Sequence, residues 1–221
     1  AKMTARVETY VGAGGKTTSI FSRALMVRKS GKKVAIVTTT HMMRPASWFI
    51  SSDLPDGWRD VWQRDGIIVV GTLLDNGKIT YPGDAVYESL CNLADLVLVE
   101  GDGSRRLPLK VMGAHEPVIP KHSDVVYCLA GLSALGKTVG QACFRYELLG
   151  LADDTVITEA IMARIVEEGC LRRLGTFKPL TTVVLNQADD AILHQCGERI
   201  LQKLSRPGLI TAYDREARNT K

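Results

Sequence analysis

The stretch Gly12-Ala13-Gly14-Gly15-Lys16-Thr17-Thr18 decides how the rest of this 221-residue chain is read. It follows a short apolar run, Val7 to Val11, and opens an amphipathic pattern from Thr17 to Ser30. Glycines between a strand and a helix let the backbone curl until several N–H groups point inward, where side chains would obstruct them. The start of the helix adds its positive end to the same spot. In this reading Gly12, Ala13, Gly14, Gly15, Lys16, Thr17 and Thr18 cradle the phosphates of ATP or GTP, Lys16 reaching the β- and γ-phosphates and the Thr17 hydroxyl holding Mg2+. The full pattern G-x-x-x-x-G-K-S/T wants glycine where Tyr10 stands, so the loop is a variant without its leading glycine.

Outward from the loop, strand-like apolar runs alternate with helical patterns. The runs are Lys33 to Val37, Ile67 to Thr72, Lys78 to Tyr81, Leu96 to Val99, Val125 to Ala130, Thr182 to Leu185 and Leu209 to Tyr213. Helical spacing covers Ala85 to Leu93, Thr158 to Glu168 and Asp189 to Leu204, with Thr158 and Asp189 as N-caps. Asn76-Gly77 predicts a type I′ hairpin. The alternation predicts an α/β, P-loop NTPase-like fold, a mostly parallel sheet with helices on both faces. We expect one domain over 1–221, with long loops near 41–66 and 101–124. The first of these carries Trp48, Phe49 and Trp58, either an interface or a satellite core.

Composition narrows the function. With 45% apolar, 24% charged and 6% aromatic residues, the chain matches soluble globular proteins. A formal charge of +4 is too small for a dedicated nucleic-acid binder but suits a site for small anions. Five cysteines (Cys91, Cys128, Cys143, Cys170, Cys196) form no C-x-x-C pair, so zinc and redox motifs lack local support. Four sit in apolar surroundings, the pattern of buried reduced thiols in a cytoplasmic protein. No apolar run approaches the ~20 residues of a membrane span, and the first residues lack a signal-peptide core. A homo-oligomer remains open.

Two further strand ends carry candidate chemistry. Leu96-Val97-Leu98-Val99-Glu100 ends in a carboxylate placed to hold Mg2+, and Asp102 follows as a candidate to orient a water. Thr38-Thr39-Thr40-His41 closes another strand, where Thr39 or Thr40 can meet phosphate or complete a metal shell. Beside the acidic residues, Arg105, Arg106 and Lys110 supply cations, and an arginine such as Arg105 can neutralise charge growing on a transferred phosphoryl group. Asn186-Gln187-Ala188-Asp189 resembles the N-K-x-D motif of GTP-binding proteins, in which Asp189 would read guanine; Gln187 replaces the lysine, and Asp189 can equally be a helix cap.

The short G-x-x-G-K-T-T form is similar to the loop of the Mur-type amide ligases, which bind ATP. More of the chain resembles the YqeC family: V-G-A-G-G-K-T-T, V-T-T-T-H-M, L-V-E-G-D-G-S-R-R-L-P-L-K, H-E-P-V-I-P at His115 to Pro120 and G-L-S-A-L-G-K at Gly131 to Lys137. That resemblance runs from Val11 to about Asp189. It implies a P-loop NTPase-like accessory protein in the maturation of a selenium-dependent molybdenum hydroxylase, with that enzyme or its cofactor-maturation proteins as partners. It carries the family's carboxylate and cations onto Glu100, Asp102, Arg105 and Lys110, with His115 and Glu116 following. The rival readings are an ATP-dependent kinase or ligase acting on a small anionic substrate held by Arg105 to Lys110 and His115, and a nucleotide-sensing binding module without turnover.

Overall fold

A computed structural model describes residues 4–54 and 56–212. The strands are β1 (Arg6–Gly12), β2 (Val34–Thr38), β3 (His41–Met43), β4 (Phe49–Ser51), β5 (Ile67–Leu73), β6 (Lys78–Thr80), β7 (Leu96–Glu100), β8 (Leu109–Lys110), β9 (Val125–Gly131), β10 (Cys143–Phe144), β11 (Thr181–Asn186) and β12 (Gly208–Ile210). The helices are α1 (Lys16–Arg28), α2 (Gly57–Asp65), α3 (Asp84–Leu93), α4 (Val139–Ala142), α5 (Glu159–Arg164) and α6 (Ala191–Leu201).

Alternation along the buried strands sets the layers. Val34 and Ile36 of β2, with Leu96 and Leu98 of β7, pack beneath Ile20, Phe21, Ala24 and Leu25 of α1. Their neighbours Ala35, Val37, Val97 and Val99 meet Trp58 and Trp62 of α2 and Leu90 and Cys91 of α3 on the other face. Strands covered on both sides read as continuous apolar runs, as β2 and β7 do. The main sheet has the order β12-β11-β9-β1-β7-β2-β5-β6-β3, with β4 beside β5. Its seven strands from β12 to β5 are parallel, and β6 and β3 add an antiparallel edge. Tyr10 of β1 pairs with Glu100 of β7, so the glycine loop and the acidic strand end emerge side by side.

Four expectations change. The segment 41–66 is not one loop: it holds β3, β4 and α2, because Trp58 and Trp62, one helical turn apart, both bury against the sheet. Of the two readings of the aromatics the structure shows packing against the core: Trp48 stacks on Phe21 at 6.0 Å and Phe49 packs with it. The hairpin after β5 is not type I′: Gly77 takes φ 74° while Asn76 stays out of the left-handed region, giving a turn closed by Gly77 N donating to Leu74 O. Asp190, not Asp189, caps α6, its carboxylate accepting from Leu193 N at 2.8 Å. The last strand is β12; Tyr213 lies outside the described residues. The segment 101–124 is irregular apart from β8, and Thr158 caps α5 as expected.

One buried charge fixes α1 to the sheet. Glu8 of β1 has no exposed surface and accepts from Arg23 Nε and Nη2 at 2.9 and 2.8 Å and from Arg6 Nε at 2.9 Å. Burial alone raises its carboxyl, but the Arg23 and Arg6 guanidinium groups outweigh burial and hold it below the usual carboxylate range. The folded state therefore binds this proton less readily than the unfolded chain. The pair stabilises the fold above the unfolded value of about 4.3, and that contribution is lost as pH falls through the folded value. We expect Glu8→Gln to cost about 2 kcal/mol at neutral pH, less than a sealed pair because Arg23 reaches water. The difference from wild type should shrink in denaturant melts as the pH falls below the ordinary carboxylate range and through the folded value. A difference constant with pH would contradict this role.

Candidate functional site

The loop after β1 owes its path to glycine. Gly12, Gly14 and Gly15 take φ of 90°, 90° and 107°, a region side chains rarely adopt. A Cβ on Gly14 would lie 2.3 Å from Gly131 N and 2.9 Å from Pro108 O, so backbone walls the loop in. Gly12 N donates to Asp102 Oδ2 and Ala13 N to Leu129 O, both at 3.0 Å, which pins the outer half. The amides of Gly14, Gly15 and Lys16 donate to no protein acceptor among the described residues. α1 then begins with no side-chain cap and no acidic residue in its first turn. Unpaired amides at the positive end of a helix form a cradle for an anion.

Asn186, at the end of β11, braces this cradle. Its Nδ2 donates to Gly14 O at 2.9 Å, while its Oδ1 accepts from Thr211 Oγ1 at 2.9 Å. Gln187 takes φ 66° and its Oε1 accepts from Ser133 Oγ at 2.6 Å. Asp189 is exposed.

Lys16 points back from the loop. Its ammonium donates to Gly12 O and lies 3.2 Å from Asp102 Oδ1, and both side chains are shut away from solvent. Asp102, read from sequence as a residue to orient water, is instead sealed between Lys16 and Lys110, whose Nζ is 3.0 Å from Oδ2. That position suits a counter-ion for the two ammonium groups. Thr17 Oγ1 donates to Glu100 Oε2 at 3.0 Å, bringing together the hydroxyl and carboxylate expected to hold a metal. Thr39 reaches the Glu100 carbonyl with its amide and Thr38 with its hydroxyl, and Thr40 Oγ1 is buried with no hydrogen-bond partner. Among the described residues no cluster of three or more His, Cys, Asp or Glu exists. The donor set is thus one hydroxyl and one carboxylate next to a phosphate-shaped cradle, which fits a Mg2+ bound largely through phosphate oxygens and water.

Beyond Asp102 lie contacts that sequence spacing does not reveal. Lys110 Nζ also donates to Gly103 O and to Glu116 Oε2, the latter at 2.7 Å, and Arg145 Nη1 donates to the same Glu116 oxygen. Burial alone raises the Glu116 carboxyl; Lys110, the Gly113 amide and Arg145 outweigh it and hold the group low. Arg105, expected beside a phosphoryl group, lies over the Phe144 ring at 4.5 Å from its centre, and Arg145 lies 4.4 Å from the same centre. A hydrogen bond with Cys170 and burial push the Cys128 thiol up, and burial pushes Cys143 up to about 12, which disfavours the reactive thiolate at both.

Comparisons with known proteins agree with this architecture. A family model described as YqeC protein matches residues 9–147. Among curated proteins the chain is similar to the "Uncharacterized protein YqeC" of Escherichia coli (strain K12), with 34% identity over 148 residues, 60% of this chain and 54% of that protein. The chain spans about half the length of the curated relative it matches. Among solved structures it is similar to FtsY from Mycoplasma mycoides, with 14% identity and a TM-score of 0.52 over 98% of this chain and 62% of that one. It is also similar to a chain of the MinC:MinD cell division protein complex of Aquifex aeolicus, with 14% identity and a TM-score of 0.51 over 96% and 83% of the two chains. At these identities the likeness concerns the fold, which is P-loop NTPase-like α/β, as the glycine loop predicts. No helix among the described residues is long and apolar enough to cross a membrane.

Proposed function

The chain belongs to the YqeC family, and we propose that it is a Mg2+-dependent nucleotide-binding accessory protein, with slow nucleoside triphosphatase activity, that assists maturation of a selenium-dependent molybdenum hydroxylase in the cytoplasm. The observation that carries the nucleotide reading is the cradle of unpaired amides at Gly14, Gly15 and Lys16, held open by left-handed glycines at the start of α1. The hydroxylase role rests on family membership.

In this reading the three amides donate to phosphate oxygens, and Asn186 keeps Gly14 in place for them. Lys16 leaves Asp102 for the β- and γ-phosphates, while Lys110 and Gly12 N retain Asp102. Thr17 and Glu100, with Thr40 as a further oxygen, are the residues that would hold Mg2+ and its water shell. Bound Mg2+ would supply charge neutralisation between the β- and γ-phosphates. Asp189, exposed beside the capping residue Asp190, would read guanine if the nucleotide is GTP.

Titration of nucleotide with and without Mg2+ tests the metal assignment. Wild type should bind more tightly with Mg2+, and Thr17→Ala should lose most of that gain, roughly tenfold. An undiminished Mg2+ effect in Thr17→Ala contradicts the assignment. Cells lacking the chain should make the hydroxylase protein without its activity; full activity there contradicts the accessory role.

A further inference from the structure

Among the described residues five non-glycine residues take a positive φ, and three of them are arginines: Arg105 at 50°, Arg106 at 62° and Arg145 at 62°. Arg105 and Arg106 form the centre of a tight turn closed by Leu107 N donating to Ser104 O at 3.0 Å. Two successive positive φ values define a type I′ turn, a place that glycine, asparagine and aspartate normally fill. Arginine there is strained, and such strain gathers at binding sites. Arg145 is likewise left-handed, and its guanidinium lies where a Cβ on Gly113 would come within 2.7 Å of it.

Both strained arginines end on one ring, Phe144. Stacking uses the face of a guanidinium and leaves the N–H groups along its edge. Arg105 is exposed and has no hydrogen-bond or carboxylate partner among the described residues. Arg145 commits Nη1 to Glu116. Through Glu116, Lys110 and Asp102 the cluster is joined to Lys16 of the glycine loop, and Pro108 O of the same segment accepts from Gly131 N against that loop. From Lys16 to Arg105 four cations thus accompany two carboxylates, Asp102 and Glu116.

We propose that Arg105 and Arg145, set on Phe144, form a subsite for the phosphate group of a small phosphorylated molecule that binds beside the nucleotide. The inference deepens the nucleotide reading and rests on it for the identity of the neighbouring ligand. The strained turn holds Arg105 over the ring, and Glu116 fixes Arg145, so both forks are positioned before a ligand arrives.

Calorimetric titration with inorganic phosphate tests the subsite in Gly14→Ala protein, where the amides of the glycine loop are displaced. Phosphate should still bind, and adding Arg105→Gly or Arg145→Gly should weaken it by roughly tenfold or more. Glycine suits the left-handed backbone, so Arg105→Gly should keep or raise the melting temperature while losing phosphate. Absent phosphate binding, binding indifferent to both replacements, or a lowered melting temperature in Arg105→Gly overturns the proposal. Wild-type protein that binds neither MgATP nor MgGTP overturns the nucleotide reading instead, whatever phosphate does in these variants.

Discussion

Asp102→Asn is expected to destabilise the fold by about 3–5 kcal/mol, the usual effect of removing one partner from a buried ionic group. Asp102 has no exposed surface and, among the described residues, is the carboxylate that contacts Lys16, whose side chain is also sealed from water. Asparagine keeps the shape but loses the charge and turns one acceptor into a donor. Two ammonium groups then share a dry site with Glu116, which reaches Lys110 alone of the two. Gly12 N also loses its carboxylate, so the damage extends to the glycine loop. Since domains are stable by only about 5–15 kcal/mol, a loss of this size should be plain in urea melts. Adding Lys16→Met to Asp102→Asn should recover part of it, because methionine fills similar space without a charge to bury. A change below about 1 kcal/mol for Asp102→Asn would show that water or movement relieves the lysines, and that the buried arrangement is wrong.

The second large effect is on binding. Gly14→Ala places a methyl 2.3 Å from Gly131 N and 2.6 Å from Gly131 Cα, both backbone atoms of β9 that cannot swing aside. The φ of 90° adds strain wherever the methyl goes. The loop must shift, and its amides then miss the positions that phosphate oxygens need. Losing two charge-assisted hydrogen bonds at roughly 1.5 kcal/mol or more each amounts to about 100-fold in nucleotide affinity, the expected loss. Gly31→Ala is the control: its φ is also positive, but a Cβ there meets nothing within 4 Å and stands far from the loop in sequence. It should lose some stability and no affinity.

The fold was legible in the sequence because a buried parallel strand cannot look like anything else for long. Leu96 to Val99 is apolar at every position, and the glycine loop marks the central strand beside it. What escaped was organisation that depends on distant partners. α2 is polar at most positions, and its short apolar pattern of Trp58, Val61 and Trp62 follows the stretch from Pro45 to Gly57, which reads as loop. The cap of α6 was missed by one residue because Asp189 and Asp190 are equivalent cap formers in sequence. Within the site, Lys16, Thr17, Glu100 and Asn186 announce themselves by their strand ends, and the structure brings all of them to the glycine loop. The burial of Asp102 between two lysines was hidden, since an acidic residue after a strand is ordinarily exposed. Arg145 lies 40 residues from Arg105, and only the fold puts both on Phe144. The nearest hint in the sequence was the run of cations after Asp102.

The most direct test of the central claim is a calorimetric titration of wild type and Gly14→Ala with MgATP and with MgGTP. Saturable binding of at least one nucleotide by wild type, lost or weakened about 100-fold in Gly14→Ala, is the predicted result. Wild type that binds neither nucleotide, or Gly14→Ala that binds as well as wild type, would contradict it and leave the glycine loop a structural turn.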